Sequence, residues 1–274
     1  MERELLSQRI AEMVSADFDS NFTRTDALRL VLGCIDLTTL EGSNTQHDIE
    51  LLCNRAIGFA QQGMPMPAAV CVYPVFVSTA KQLLANTDIK VASVAAGFPA
   101  GQLPISLKRA EVEYAVEQGA DEIDIVISRG KLLEGRDAEV GQDVSTLKQA
   151  AKTARLKVIL ETGELKTSEL IEKASKIAIA SGADFIKTST GKIAANATLE
   201  AFLVMLDCIK EHYAATQQRI GIKPAGGISS AADALNYVKV LRAVLGEAWM
   251  NKTYFRIGAS RLANDVAMQL SNNG

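Results

Sequence analysis

Two lysines and an aspartate in this chain could together do carbonyl chemistry: Lys187 in DFIKTSTGK, Lys223 in IGIKPAGG and Asp124 in DEIDIVI. An amine attacks a carbonyl only when unprotonated, and a free lysine, with a pKa near ~10.4, is almost wholly protonated at neutral pH. Burial and a second nearby cation both disfavour the ammonium form and lower that pKa. One lysine can then condense with an aldehyde or ketone, and the resulting protonated imine draws electrons from an adjacent carbon–carbon bond. A neighbouring carboxylate such as Asp124 can relay protons, directly or through water. Spacing alone does not choose between Lys187 and Lys223 as the nucleophile.

The elements that would hold these groups alternate along the chain. Eight β-rich runs cover residues 31–37, 68–73, 89–97, 121–127, 156–162, 184–189, 220–226 and 254–259. Stretches such as SLKRAEVEYAVEQGA and SELIEKASKIAIASGA lie between them, with apolar residues at helical steps and a closing glycine. Strict strand–helix alternation implies parallel βα units, and eight of them imply an α/β fold of the (β/α)8 TIM-barrel kind. An open doubly wound sheet usually carries a glycine fingerprint after its first strand, and IDLTTLEGSNTQ has none. The expected organisation is one domain over residues 1–274, with residues 1–27 as an additional N-terminal helical extension.

Alternation across each strand sorts its side chains into two faces. In DEIDIVI the isoleucines face outward, so Glu122, Asp124 and Val126 face the barrel axis. The same rule turns Lys157, Ile159 and Glu161 inward, groups Phe185 with Lys187, and turns Lys223 inward. In the first two strands it groups Cys34 with Asp36 and Ala69 with Cys71. Such an interior is far more charged than the branched apolar filling usual in this fold. Its charges must be paired, solvated or shifted in pKa. Lys157 and Glu122, toward the strand starts, read as structural ion pairs. Lys187, Lys223 and Asp124 lie toward the carboxyl ends, where active sites of such barrels sit.

Three loops at that same end could cradle an oxyanion: TSTGK after the Lys187 strand, PAGGISS after the Lys223 strand, and GASRLANDV after the last. Glycines let backbone N–H groups approach closely, and a following helix start adds its positive dipole end. Lys192 and Arg261 read first as solvated surface residues.

Composition narrows the partners. The 274 residues carry 29 Lys and Arg against 32 Asp and Glu, a formal charge of -3, which leaves no basic excess to hold nucleic acid. No stretch reaches the ~20 apolar residues that span a bilayer. The opening MERELLSQRI is too charged for an export signal, and four scattered cysteines without a CxxC pair read as free thiols, so a cytoplasmic location is expected. Two histidines and no clustered Cys/His set argue against a metal site, and no cofactor is expected.

The strings CIDLTTL, CVYP, ADEIDIVI, KVILETGEL, SGADFIKTSTGK, IKPAGGI and FRIGAS, in this order from about Leu28 to about Leu262, resemble the deoxyribose-phosphate aldolase family of class I aldolases. The resemblance implies a TIM barrel that reversibly cleaves 2-deoxy-D-ribose 5-phosphate to acetaldehyde and D-glyceraldehyde 3-phosphate, in deoxyribonucleoside catabolism. It implies Lys187 as the Schiff-base lysine, Lys223 as the cation that lowers its pKa, and Asp124 as the proton-transfer partner with a bound water. Asp36 is implied as a supporting polar residue and Cys71 as a neighbour of the substrate, although Cys71 reads equally well as a small buried thiol. Phosphate contacts are implied at Gly191, Gly226, Gly227, Gly258 and Ser260. The partner is then a small sugar phosphate, and a homo-oligomer is compatible with the sequence.

Three features depart from the family pattern. Ser229 stands where some members carry a phosphate-binding arginine, and Arg261 stands where some carry serine, so Arg261 is expected to compensate. The chain ends LSNNG without the tyrosine that some members use near the site, which implies proton transfer without it or slower turnover. Two other readings remain open on residues alone. Another Schiff-base aldolase would need polar groups for further substrate hydroxyls, and a catalytically silent barrel would bind a sugar phosphate without forming an adduct.

Overall fold

The computed structural model describes residues 2–272, so the last two residues of LSNNG lie outside the described residues. Eight strands follow one another in the chain: β1 (Ile35–Thr38), β2 (Ala69–Val72), β3 (Lys90–Ala95), β4 (Glu122–Val126), β5 (Arg155–Ile159), β6 (Phe185–Lys187), β7 (Gly221–Lys223) and β8 (Ile257–Ala259). They lie in the order β7-β6-β5-β4-β3-β2-β1-β8, every ladder parallel. Parallel bridges Ile222↔Phe255 and Ala225↔Gly258 join β7 to β8 and close the cylinder. With helices packed around it, this is the (β/α)8 TIM barrel expected from the sequence.

The strands are shorter than the runs read from sequence, and the first run is divided. Its residues Val31 to Gly33 end a helix, α2 (Arg24–Gly33), and the strand starts only at Ile35. The physical reason lies upstream. Thr23 accepts from the Asp26 amide while the Asp26 carboxylate accepts from the Thr23 amide, a reciprocal cap that fixes the helix start. Ala27, Leu28, Val31 and Leu32 then bury one helical face, and that packing overrides the β preference of Val31. The N-terminal extension therefore holds α1 (Glu2–Ser15) and the start of α2 rather than a single helix. Helix α1 packs on helices Leu199–Thr216 and Ala231–Leu245, with Arg9 in a two-pronged pair with Asp207 at 2.8 and 3.1 Å.

Register stacks the barrel interior in layers. Asp124 stands opposite Lys157, Lys157 opposite Phe185, and Phe185 opposite Gly221. One step further up, Lys187 stands opposite Lys223. A Cβ on Gly221 would meet a Phe185 ring carbon at 2.3 Å, so only glycine there lets the ring fill the space below the two lysines. The guanidinium groups of Arg155 and Arg256 lie 6.0 and 5.8 Å from the centre of that ring. Opposite, Ala69 and Cys71 of β2 pack with Ala92 and Val94 of β3 and with Leu40, a small apolar wall facing the charges.

Candidate active site

Asp124, in the middle of β4, is fully buried and joins all three interior lysines. Its Oδ1 accepts from Lys157 Nζ at 2.7 Å, and its Oδ2 accepts from Lys187 Nζ and Lys223 Nζ, each at 2.7 Å. Asp36 of β1 accepts from Lys223 at 2.5 Å through Oδ2 and lies 3.5 Å from Lys157. Parallel strands lie about 4.8 Å apart, so amines on neighbouring β6 and β7 can share one carboxylate oxygen. The sequence-derived set Lys187, Lys223, Asp124 and Asp36 therefore meets in one place.

The network extends deeper than sequence reasoning assigned. Lys157 also meets Glu122 Oε2 at 2.7 Å. Arg256, just before β8, donates to Asp36 Oδ1 at 2.6 Å and to both Glu122 oxygens at 3.0 and 2.6 Å. Arg256 was missed, yet FRIGAS carried the signal. With Phe255 and Ile257 turned out toward the helices, alternation turns Arg256 inward. Lys157 and Glu122 do form an ion pair with each other, and Lys157 also meets Asp124 and Asp36, the carboxylates that hold Lys187 and Lys223, while Glu122 also takes Arg256.

The four cations differ in their partners. Lys157 touches three carboxylates, Lys223 two and Arg256 two, whereas Lys187 has Asp124 as its one carboxylate partner among the described residues. Burial disfavours every one of these charges. For Lys157, Asp124, Glu122 and Asp36 overcome that cost and hold the ammonium well above the ordinary lysine pKa. For Lys223, Asp124 and Asp36 do the same. For Lys187, burial wins. Joined by the neighbouring Lys223 cation, and opposed by Asp124 and Cys71, it holds the amine below the ordinary value. On Asp124 and Asp36, burial is outweighed by the surrounding cations, and both carboxyls sit below the usual carboxylate range.

Cys71 is buried on the interior face of β2 within the electrostatic reach of Asp124 and the three lysines, and burial pushes its thiol upward in pKa. It is a neutral neighbour of the amines. Glu161, grouped by alternation with the inward side chains, lies just beyond β5 in the left-handed region at φ 59. Its carboxylate accepts from the Thr190 amide at 3.1 Å, from Thr190 Oγ1 at 2.6 Å and from Arg129 at 3.1 Å. It thus fixes the loop that follows Lys187 and stands outside the lysine network.

The glycines cluster at the mouth. A Cβ on Gly191 would lie 4.0 Å from the Gly226 Cα, so the loops after β6 and β7 run side by side. A Cβ on Gly226, at φ +83, would strike the Asn196 side chain at 2.5 Å. Gly227 shares the left-handed conformation at φ +80. Gly258 would, with a Cβ, crowd Ala225 at 2.8 Å and the Lys223 stem at 3.2 Å. Ser260 is exposed, and its carbonyl accepts from Arg55 at 3.0 Å. Arg261 is exposed at the start of helix Leu262–Asn272. Lys192 reaches across to Glu41 in the loop after β1 at 2.9 Å. A cleft of about 520 Å³ opens beside this mouth, between Thr162, Asn196 and Ile171, rather than over the lysines.

A buried lysine with a depressed pKa, a second lysine beside it and a shared aspartate under a glycine-lined mouth are suited to imine chemistry on a phosphorylated carbonyl compound. Comparison with known proteins finds similarity to aldolases. The family model described as DeoC/LacD family aldolase matches residues 30–261. Deoxyribose-phosphate aldolase of Homo sapiens is 44% identical over 249 residues, covering 86% of this chain and 78% of the relative. Deoxyribose-phosphate aldolase of Agrobacterium fabrum is 42% identical, covering 88% and 90%. A solved tetrameric deoxyribose phosphate aldolase from Aeropyrum pernix is 26% identical and superposes with a TM-score of 0.71 over 92% of this chain and 94% of that one. The chain belongs to the DeoC/LacD aldolase family.

Proposed function

We propose that the chain is a class I aldolase that reversibly cleaves 2-deoxy-D-ribose 5-phosphate to acetaldehyde and D-glyceraldehyde 3-phosphate through an imine on Lys187. The observation that carries this is the unequal pairing of the buried cations. Of the three network lysines Lys187 alone is held below the ordinary lysine pKa, and Lys223 stays charged beside it.

The lone pair of Lys187 Nζ attacks C1 of the open-chain sugar, and the carbinolamine loses water to leave a protonated imine. Loss of the C3 hydroxyl proton then breaks the C2–C3 bond. The C3 oxygen becomes the aldehyde of glyceraldehyde 3-phosphate, and the bonding pair moves through C2 into the iminium as an enamine. Protonation at C2 and hydrolysis release acetaldehyde and the free amine. Asp124 contacts both amines and is the group through which protons pass between Lys187 and Lys223, with water completing the path to the substrate. Asp36 holds Lys223 charged. Cys71 and the apolar wall keep bulk water from the imine.

The phosphate would lie in the cradle of Gly191, Gly226, Gly227, Gly258 and Ser260, where positive φ at Gly191, Gly226 and Gly227 and the missing side chain of Gly258 let amides approach an anion. Four free, buried cysteines fit a reducing compartment such as the cytoplasm. Among the described residues no helix is long and apolar enough to cross a membrane.

The test is borohydride reduction of the protein with acetaldehyde, followed by mass spectrometry of its peptides. An ethyl adduct on Lys187 is expected. An adduct only on another lysine, or none, overturns the reading.

A further inference from the structure

The interior network holds four cations, Lys157, Lys187, Lys223 and Arg256, against three carboxylates, Asp36, Glu122 and Asp124. All seven are buried. With every group ionised, the sealed network carries one unmatched positive charge, which a low-dielectric interior strongly disfavours. Loss of one proton makes it neutral. Arg256 does not give that proton up, because guanidinium remains charged in proteins.

We propose that Arg256 and Glu122, at the floor of the barrel, set the charge balance of the whole interior and thereby the protonation state of Lys187. They act as positioning residues through the network rather than on the substrate. The inference rests on the reading of Lys187 as the imine-forming residue. What it adds is a control point at the opposite end of the cylinder from the mouth. A cavity of about 230 Å³ beneath the strands is lined by Glu122, Arg155, Lys252 and Arg256, which marks these groups as belonging to the floor.

Two features support long-range control by charge. Arg256 grips Glu122 with both of its terminal nitrogens and Asp36 with one of them, so its charge is fixed in place. The groups around Lys187 are otherwise balanced or neutral. Asp124 and Glu122 come from β4, Lys223 from β7, Lys157 from β5, Asp36 from β1 and the Cys71 thiol from β2. At the mouth Arg129 pairs with both Glu161 and the exposed Glu164, and Lys192 pairs with Glu41, so these charges are met by partners outside the network. At the floor Arg155 is half-buried and Lys252 exposed, so both stand outside the buried set, whose unmatched charge is decided by the seven network groups.

Charge complementation tests this. Arg256→Met leaves three cations against three carboxylates when Lys187 is protonated, so its proton is held more tightly. Glu122→Gln raises the excess and loosens the proton. The double variant restores the original excess of one. The midpoint of Lys187 deprotonation is read by competitive acetylation with acetic anhydride and peptide mass spectrometry, and independently from the acid limb of the kcat/KM profile. The expected result is a rise of about one pH unit in Arg256→Met, a fall of similar size in Glu122→Gln, and a midpoint near that of the unaltered protein in the double variant. If Arg256→Met does not fold, the downward shift in Glu122→Gln and its reversal in the double variant still decide the matter. Unmoved midpoints, or single variants that move in the same direction, overturn the proposal. Acetaldehyde–borohydride trapping on the unaltered protein separates the two readings. Its failure removes the imine, while the acetylation midpoints still report the charge balance.

Discussion

Lys187 and Lys223 stand opposite each other on adjacent parallel strands, and their amines share a single oxygen, Oδ2 of Asp124, each at 2.7 Å. Only Lys223 has a further carboxylate, Asp36. Two chemically identical side chains at equivalent positions are thereby made unequal, one kept as a cation and the other pushed toward the free amine.

Replacing Lys187 by methionine removes the proposed nucleophile. Turnover of deoxyribose 5-phosphate is expected to fall on the order of 10⁴-fold or more. Steady-state assay of the purified variant, with circular dichroism to establish folding, checks this, and substantial retained activity would contradict the assignment.

The same variant has a signature in stability. A lysine held below its unfolded pKa binds its proton less tightly when folded, so the folded state gains stability as pH rises from the folded value toward ~10.4. Lys187→Met should therefore exceed the unaltered protein in Tm most at low pH, and the gap should close as pH approaches 10. Paired thermal melts across pH measure that gap; a gap independent of pH would show that the amine carries no such penalty.

Lys223→Leu removes the cation beside Lys187. The Lys187 pKa should rise, the acid limb of kcat/KM should move upward, and the rate at neutral pH should fall on the order of 100-fold. An unchanged pH profile would deny Lys223 this role.

Acid should undo the network from the carboxylate side. Asp36 and Asp124 are held below the usual range, so the stability they contribute is fully present above about pH 4 and is lost as pH falls through their folded values. Asp36→Asn should flatten this acid dependence of Tm. Equal acid slopes in the two proteins would place the dependence elsewhere.

Gly226→Ala introduces a Cβ at φ +83 against the Asn196 side chain. Strain at a positive φ and the displaced loop should raise KM for the phosphorylated substrate about tenfold, with a smaller effect on kcat. Activity on unphosphorylated deoxyribose should change little, and equal losses on both substrates would argue against a phosphate role for this loop.

Much of this molecule was legible in its residues because the determinants are local. Strand–helix alternation specifies the barrel, and the two-residue period turns Asp124, Lys157 and Lys223 inward. The seven motif strings pointed to the family. The limits were physical too. The boundary between α2 and β1 depended on the packing of Leu28, Val31 and Leu32 against distant elements, which overrides local β preference. The inequality of Lys187 and Lys223 depends on Asp36, 187 residues before Lys223, and the role of Arg256 on the same aspartate, 220 residues away. Sequence determines which side chains face the axis; only closure of the cylinder decides which charges meet there, because pairing across a barrel joins residues that no local period relates.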